Sequence, residues 1–111
     1  MKIERQEIGT VEILSPQGAL AEDDAEEFAA LLEKRSGGAN PRVAISLQGV
    51  SWMDSTALNG LVAAADEMAA RGTRLKLVAV SPTCREVLEL TGLSQRFQFF
   101  EDPQDAVRSF L

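Results

Sequence analysis

The sequence WMDSTAL at residues 52–58 decides how the middle of this chain folds. A short apolar run ends there in an aspartate and two hydroxyl residues, and a helical pattern follows. Such residues begin helices because their side chains accept hydrogen bonds from the first unpaired backbone N–H groups. We therefore expect Ser55 to lie in the first turn of a helix, beside the Asp54 carboxylate and at the protein surface.

A helix start of this kind suits a phosphate group. Its unpaired N–H groups and the positive end of the helix dipole both favour negative charge. Simple helix capping by Asp54 or Ser55 explains the triplet when it is taken alone, so the interpretation of Ser55 as a phosphoryl acceptor needs further support. Thr56 is a less favoured phosphoryl acceptor than Ser55, because its methyl group and hydroxyl can have the start of the helix as their only role.

Strand and helix patterns alternate outward from this stretch. Strands are predicted over residues 3–8, 10–14, 43–47, 75–80 and 97–100, and helices over about 22–35, about 55–70, 82–91 and from about 102 onward. The first two strands form a hairpin at Gly9, and the later alternation implies helical crossovers between parallel strands. The sequence thus predicts one α/β domain over residues 1–111, with a mixed, mostly parallel sheet of about five strands and about four helices.

Charge and composition restrict the partners. The chain has 111 residues, of which 45% are hydrophobic, and 17 acidic against 11 basic residues give a net charge of −6. This charge disfavours nucleic acid, whose phosphates need clustered Lys and Arg. A protein or small-molecule partner is the expectation that remains.

Several further features favour a cytoplasmic location. Cys84 is the one cysteine, so no internal disulfide can form and a reducing compartment is expected. The segment at residues 1–7 lacks the apolar core of a signal peptide, and no window approaches the roughly 20 apolar residues of a membrane span. We expect no membrane insertion.

The sequence offers little to an enzyme. Histidine and tyrosine are absent, which removes the usual general base and the commonest metal ligand. The acidic run at residues 22–27 is typical of a helix start that complements the dipole and not of a metal site. We therefore predict no catalytic residues, no metal and no cofactor.

The order of elements and several motifs resemble the STAS domain, the fold of bacterial anti-sigma-factor antagonists. The resemblance covers nearly the whole chain, and the matching pieces are GAL at 18–20, VSWMDSTAL at 50–58, RG at 71–72, LKLV at 75–78 and VLELTGL at 87–93. In that family, the serine directly after the motif aspartate is phosphorylated by an anti-sigma factor that is also a kinase. The resemblance implies that Ser55 is that serine, with Asp54 before it.

The resemblance also implies the partners. They would be an anti-sigma factor with serine kinase activity and a phosphatase that resets the switch. The unphosphorylated antagonist binds the anti-sigma factor and so releases the sigma factor. An alternative within the same family is a STAS regulatory subunit of an ABC-type lipid transport complex, in which phosphorylation need not occur.

Two positions depart from the family pattern. Ala57 stands where the family usually has glycine, and we expect its methyl group on the surface that partners touch. Ala21 stands where an aspartate is common, near the expected docking face. Both residues are candidate partner-binding positions, together with Asp54, Ser55 and Thr56.

A second group of candidates follows on the predicted helix. Asn59, Gly60, Ala63 and Ala64 are expected on the face opposite the buried stripe, where small residues would let a partner helix approach closely. Alanine is also the best helix former at exposed positions, so this pattern leaves both explanations open. Trp52 ends the apolar run, and we expect it in the core.

Overall fold

Four helices and seven strands form the fold over residues 2–111, the part of the chain that the computed structural model describes. Met1, the first residue of the predicted domain, lies outside the described residues. The strands are β1 (Ile3–Ile8), β2 (Val11–Pro16), β3 (Gly18–Leu20), β4 (Val43–Ser46), β5 (Val50–Met53), β6 (Lys76–Val78) and β7 (Gln98–Phe100). The helices are α1 (Glu22–Ser36), α2 (Ser55–Ala70), α3 (Pro82–Leu90) and α4 (Pro103–Arg108).

The main sheet has five strands in the order β1-β2-β4-β6-β7. β1 and β2 are antiparallel, and each of the other neighbouring pairs is parallel. Gly9 closes the β1–β2 hairpin with a φ of +61°, a backbone conformation that glycine adopts without strain. The predicted mixed, mostly parallel sheet with an N-terminal hairpin is confirmed.

A second, two-stranded sheet was not predicted. In it β3 runs parallel to β5, and Leu20 lies opposite Met53. Beyond this pair the backbone N–H of Asp54 donates to the carbonyl oxygen of Leu20 at 2.9 Å. Because β3 leads into α1 and β5 leads into α2, the small sheet brings the starts of these two helices together.

Helices cover the main sheet on both faces. The larger core lies between the sheet and helices α1, α2 and α3, and it includes Phe28, Leu61, Met68 and Leu88. On the other face, α4 packs through Ala106 against the side chains that point that way from the central strands. Alternation along β4 divides the faces, since Ile45 belongs to the larger core and Ala44 to the smaller.

The buried face of α2 is wider than the sequence pattern predicts. The apolar spacing in the sequence predicts an inward stripe that includes Leu61, Ala65, Met68 and Ala69. The first three are buried, whereas Ala69 is exposed. Ala57 and Ala64 are buried in addition, because α2 packs against α1 as well as against the sheet. Within residues 2–111, no helix has the length and apolar character needed to cross a bilayer.

Candidate functional site

Asp54 lies at the junction between β5 and α2 and connects both neighbouring helices. Its Oδ1 atom accepts a hydrogen bond from the backbone N–H of Ala57 at 3.0 Å, which caps the start of α2. Its Oδ2 atom accepts from the backbone N–H of Glu22 at 2.9 Å, the first residue of α1. The aspartate that the sequence identified as a cap thus holds the first turns of two helices.

These hydrogen bonds also keep Asp54 ionised. The backbone N–H of Ala57 lowers the pKa of Asp54 most, and those of Glu22 and Thr56 lower it further, while partial desolvation acts in the opposite direction. The net pKa lies below its ordinary value of 3.8. A fixed negative charge therefore stands directly before Ser55 at neutral pH.

Glu22 adopts an unusual backbone conformation at this junction. Its φ is +56°, in the left-handed region that costs an ordinary L-residue about 1–2 kcal/mol. Ala21 precedes it in extended conformation, is partly buried and makes no side-chain cap for α1. The hydrogen bond from Glu22 to Asp54 helps to hold the strained turn in place.

Ser55 is exposed at the first residue of α2. In the described part of the chain, no hydrogen bond occupies its hydroxyl group, so an enzyme approaching from solvent can reach the Oγ atom. Thr56 is exposed next to it. The expected position of the serine, in the first turn of a helix and at the surface, is confirmed.

The expectation for Ala57 is wrong. Its side chain is fully buried in the larger core and presents no methyl group to a partner. As the third residue of α2, Ala57 lies on the same helix face as Leu61, which points inward. Its backbone N–H still contributes to the site by donating to Asp54.

The predicted small-residue face of α2 is only partly exposed. Asn59 and Ala63 are exposed, but Ala64 is buried, so its expected exposure is wrong. Gly60 lies against α1, and a Cβ atom placed on it would meet Ala29 Cβ at 2.8 Å. Gly60 therefore serves close packing between α1 and α2.

A groove of about 720 Å³ runs between α1 and α2 and opens beside Thr56. Its lining includes the small residues Ala29, Gly60 and Ala63 and three acidic residues, Glu26, Glu33 and Glu67. Among the described residues, no group of three His, Cys, Asp or Glu side chains is arranged to hold a metal ion.

Trp52 lies on the surface, contrary to the expectation that it belongs to the core. Half of its side chain is exposed (50%), although its neighbour Val50 in β5 is buried. Val50 belongs to the larger core, whereas the tryptophan side chain lies outside it. It adds an exposed aromatic group two residues before Asp54.

Comparisons with known proteins agree with this architecture. The family model of the STAS domain matches residues 2–106. An anti-sigma-factor antagonist (STAS) domain protein from Planctomyces limnophilus is 25% identical, with a TM-score of 0.82 and coverage of 97% of both chains. No curated protein matches the chain.

Two further solved structures share the fold at lower identity. An anti-sigma factor antagonist from Mycobacterium paratuberculosis is 22% identical, with a TM-score of 0.83 and coverage of 98% of this chain and 92% of that one. The Bacillus cell fate determinant SpoIIAA in its phosphorylated form is 18% identical, with a TM-score of 0.76 and coverage of 99% of this chain and 100% of that one.

Proposed function

The chain belongs to the STAS domain family, and from this membership we propose that it is an anti-sigma factor antagonist controlled by reversible phosphorylation of Ser55. The observation that carries the proposal is the exposed hydroxyl group of Ser55 at the start of α2, next to a capping carboxylate. The similar fold of a protein solved in a phosphorylated form supports it.

In the proposed reaction, Ser55 Oγ attacks the γ-phosphorus of ATP bound to a partner kinase. The Oγ–P bond forms, the bond to ADP breaks and the hydroxyl proton passes to a base on the kinase. Asp54 is a poor candidate for that base, because both of its oxygens accept backbone N–H groups and its pKa is lowered. We assign Asp54 the role of a positioning residue.

Phosphorylation would change the charge of this surface sharply. The phosphoryl group adds about −1.5 to −2 charges beside the ionised carboxylate of Asp54. A partner surface that fits the neutral hydroxyl would then meet a bulky anion, with the loss of contacts and the repulsion of acidic groups. The unphosphorylated form is the one that binds the anti-sigma factor in this proposal, and a phosphatase restores it.

The docking surface is proposed to include Asp54, Ser55, Thr56, Asn59 and Ala63, with Ala21 at its border. Asn59 and Ala63 are exposed on α2 and follow the phosphorylation site along the helix. Ala57 and Ala64 are excluded from direct contact because they are buried. Gly60 contributes through the spacing of α1 and α2.

Phosphoryl transfer can be tested directly by intact mass. Three proteins are compared: wild type, Ser55→Ala and Thr56→Ala. Each is incubated with ATP and with an extract of the cells that carry the gene, which supplies the ATP-dependent kinases. Wild type and Thr56→Ala should each gain one phosphoryl group, and Ser55→Ala none. A gain on Ser55→Ala would move the acceptor elsewhere.

The switch itself is tested by binding to the partner kinase. Ser55→Asp should bind the kinase at least about tenfold more weakly than wild type, since it places a charge at the docking surface. Ala39→Asp adds the same charge in the exposed loop before β4 and should bind like wild type. Equal affinity of Ser55→Asp and wild type would contradict the off-switch.

The transport alternative has the same fold but a different partner. No feature of residues 2–111 favours docking to a transporter ATPase over docking to an anti-sigma factor. Purification of the chain in complex with a membrane-associated ATPase, with no phosphoryl gain on Ser55, would favour that alternative.

A further inference from the structure

A pocket of about 370 Å³ lies at the edge of the main sheet where β4, β6 and β7 begin. Four of its lining residues are basic, namely Arg42, Arg71, Arg74 and Lys76, and we call it the basic pocket. Ser55 lies at the other end of the strands, because it follows β5, which begins beyond the end of β4. The basic pocket is therefore separate from the proposed phosphorylation site.

Lys76 is the most unusual of these residues. It is only 5% exposed, and its side-chain partners are neutral: the Nζ atom donates to Gln98 Oε1 and lies 4.6 Å from the centroid of the Phe110 ring. Burying an ammonium group without an opposite charge is costly. Burial lowers the pKa of Lys76, and the nearby charge of Arg74 lowers it further.

Two arginines beside it also have uncharged partners. Arg74 donates to the carbonyl oxygens of Gln95 at 2.7 Å and Phe97 at 3.0 Å. Arg42 donates to the hydroxyl of Thr10 at 2.8 Å. None of the described residues that line the basic pocket is acidic, and Arg42, Arg74 and Lys76 all belong to that lining.

Helix-dipole effects do not explain this cluster. Arg71 directly follows the last residue of α2, where a positive charge is favoured, and it also pairs with Glu67 at 2.7 Å. Arg42 and Lys76, in contrast, lie just before β4 and at the first residue of β6. In a chain of net charge −6, four basic residues in the lining of one pocket form a local concentration of positive charge.

We propose that the basic pocket binds a small phosphate monoester through Lys76, Arg42 and Arg74. A monoester carries about −1.5 to −2 charges at neutral pH, which matches three unneutralised cations better than a monoanion does. Guanidinium groups pair with phosphate oxygens in a two-pronged geometry, and a lysine supplies a point charge. The volume falls within the range of about 300–1,000 Å³ typical of small-molecule sites, and the Phe110 ring borders it.

The test is a titration of the ¹⁵N-labelled protein with inorganic phosphate and, separately, with adenosine 5′-monophosphate, at constant ionic strength. Amide signals of residues 72–76, Gln98 and Phe110 should shift and saturate, while sodium chloride alone should not shift them to saturation. At least tenfold tighter binding of the nucleotide would identify a phosphorylated organic ligand. Equal binding would show that the pocket recognises the phosphate group alone, without the organic part of a monoester, and either result supports a phosphate site.

Variants separate a specific site from general charge. Lys76→Met and Arg42→Gln should each weaken phosphate binding by about tenfold or more, because each removes a charge-assisted hydrogen bond. Arg5→Gln removes one positive charge from exposed β1 and should change affinity by less than about twofold, since salt screens distant charges. Shifts that never saturate, or equal weakening by Arg5→Gln and Arg42→Gln, would overturn the proposal.

Discussion

The carboxylate of Asp54 accepts a hydrogen bond from the backbone N–H of Glu22, 32 residues earlier in the chain, at 2.9 Å. Its second oxygen caps α2 by accepting from the backbone N–H of Ala57. One side chain therefore sets where two helices begin relative to each other. Ser55 follows Asp54 immediately in the sequence, so the same aspartate positions the proposed phosphoryl acceptor.

Asp54→Asn should lower the urea midpoint of unfolding at pH 7. An asparagine has one acceptor oxygen and one N–H₂ group, so it cannot accept from both Ala57 and Glu22. The pKa of Asp54 is lowered in the folded state, so its stabilisation is fully present above the unfolded value of 3.8 and is lost as the pH falls through the folded pKa. The difference between wild type and Asp54→Asn should therefore shrink at pH 3.

Asp102→Asn is the matched control for this prediction. Asp102 also caps a helix, α4, but it accepts one backbone hydrogen bond, from Gln104 at 2.8 Å. Asparagine is about as good a helix cap as aspartate, so this variant should unfold near the wild-type midpoint. Equal losses at Asp54 and Asp102 would show that the bond to Glu22 contributes nothing.

Glu22→Gly should stabilise the protein slightly. Glycine adopts the left-handed φ of +56° without the penalty that glutamate pays, and the lost acidic charge near the helix start offsets part of the gain. We expect a net increase of about 0.5 kcal/mol in the free energy of unfolding. Glu26→Gly, inside α1, should instead cost about 1 kcal/mol, and chemical denaturation of both variants checks the opposite signs.

Gly60→Ala should destabilise the protein, although the same change stabilises most exposed helices. The added methyl carbon would lie 2.8 Å from Ala29 Cβ, so α1 and α2 would have to move apart. Overpacking of this kind typically costs about 1–3 kcal/mol, which outweighs a helix-propensity gain of about 1 kcal/mol. Adding Ala29→Gly should recover part of the loss in a double-mutant cycle, whereas strictly additive losses would argue against this contact.

The helix starts were predictable because their signals are local. Asp54, Ser81 and Asp102 each accept a hydrogen bond from a backbone N–H in the first turn of the helix that follows. The hydrophobic patterns likewise predicted the main sheet and its order of elements. The second sheet was missed because β3 begins at Gly18 in a stretch of turn-forming residues, and because its pairing with β5 joins segments that lie far apart in the sequence.

The errors at the candidate site have a tertiary cause. Alanine carries little hydropathy signal, so Ala57 and Ala64 gave no sign of burial by type. The spacing of Ala57 and Ala64 relative to Leu61 and Met68 did indicate burial, since all four residues lie on one helix face. For Trp52 the local signal was misleading, because it follows the buried Val50 at strand spacing and yet lies outside the core that buries Val50.

The fluorescence of Trp52 should report on the surface around Ser55. Trp52 is the one tryptophan in the chain and is half exposed, so emission of the folded protein should lie close to that of the urea-unfolded protein. Acrylamide should quench it efficiently, and a partner that covers the surface around Ser55 should shift the emission to shorter wavelength. A folded protein that already emits far to shorter wavelength would place the indole in an apolar environment and contradict the exposure.

Phosphorylation of Ser55 should change binding far more than stability. The phosphoryl group would lie at the first residue of α2, where the dipole favours negative charge by about 0.3–1 kcal/mol, and the ionised Asp54 opposes it. Because the two effects have opposite signs and both groups face solvent, the free energy of unfolding should change by less than about 1 kcal/mol.

Urea unfolding of the phosphorylated and unphosphorylated protein, at low and high salt, measures that change. Partner affinity of the same two samples should differ by about tenfold or more, since the charge lies on the docking surface. If phosphorylation instead lowered the free energy of unfolding by several kcal/mol, the loss of binding would follow from breaking the hydrogen bond between Asp54 and Glu22. The switch would then act by unfolding the start of α1 and α2, and a salt-insensitive loss of stability would distinguish that mechanism from surface repulsion.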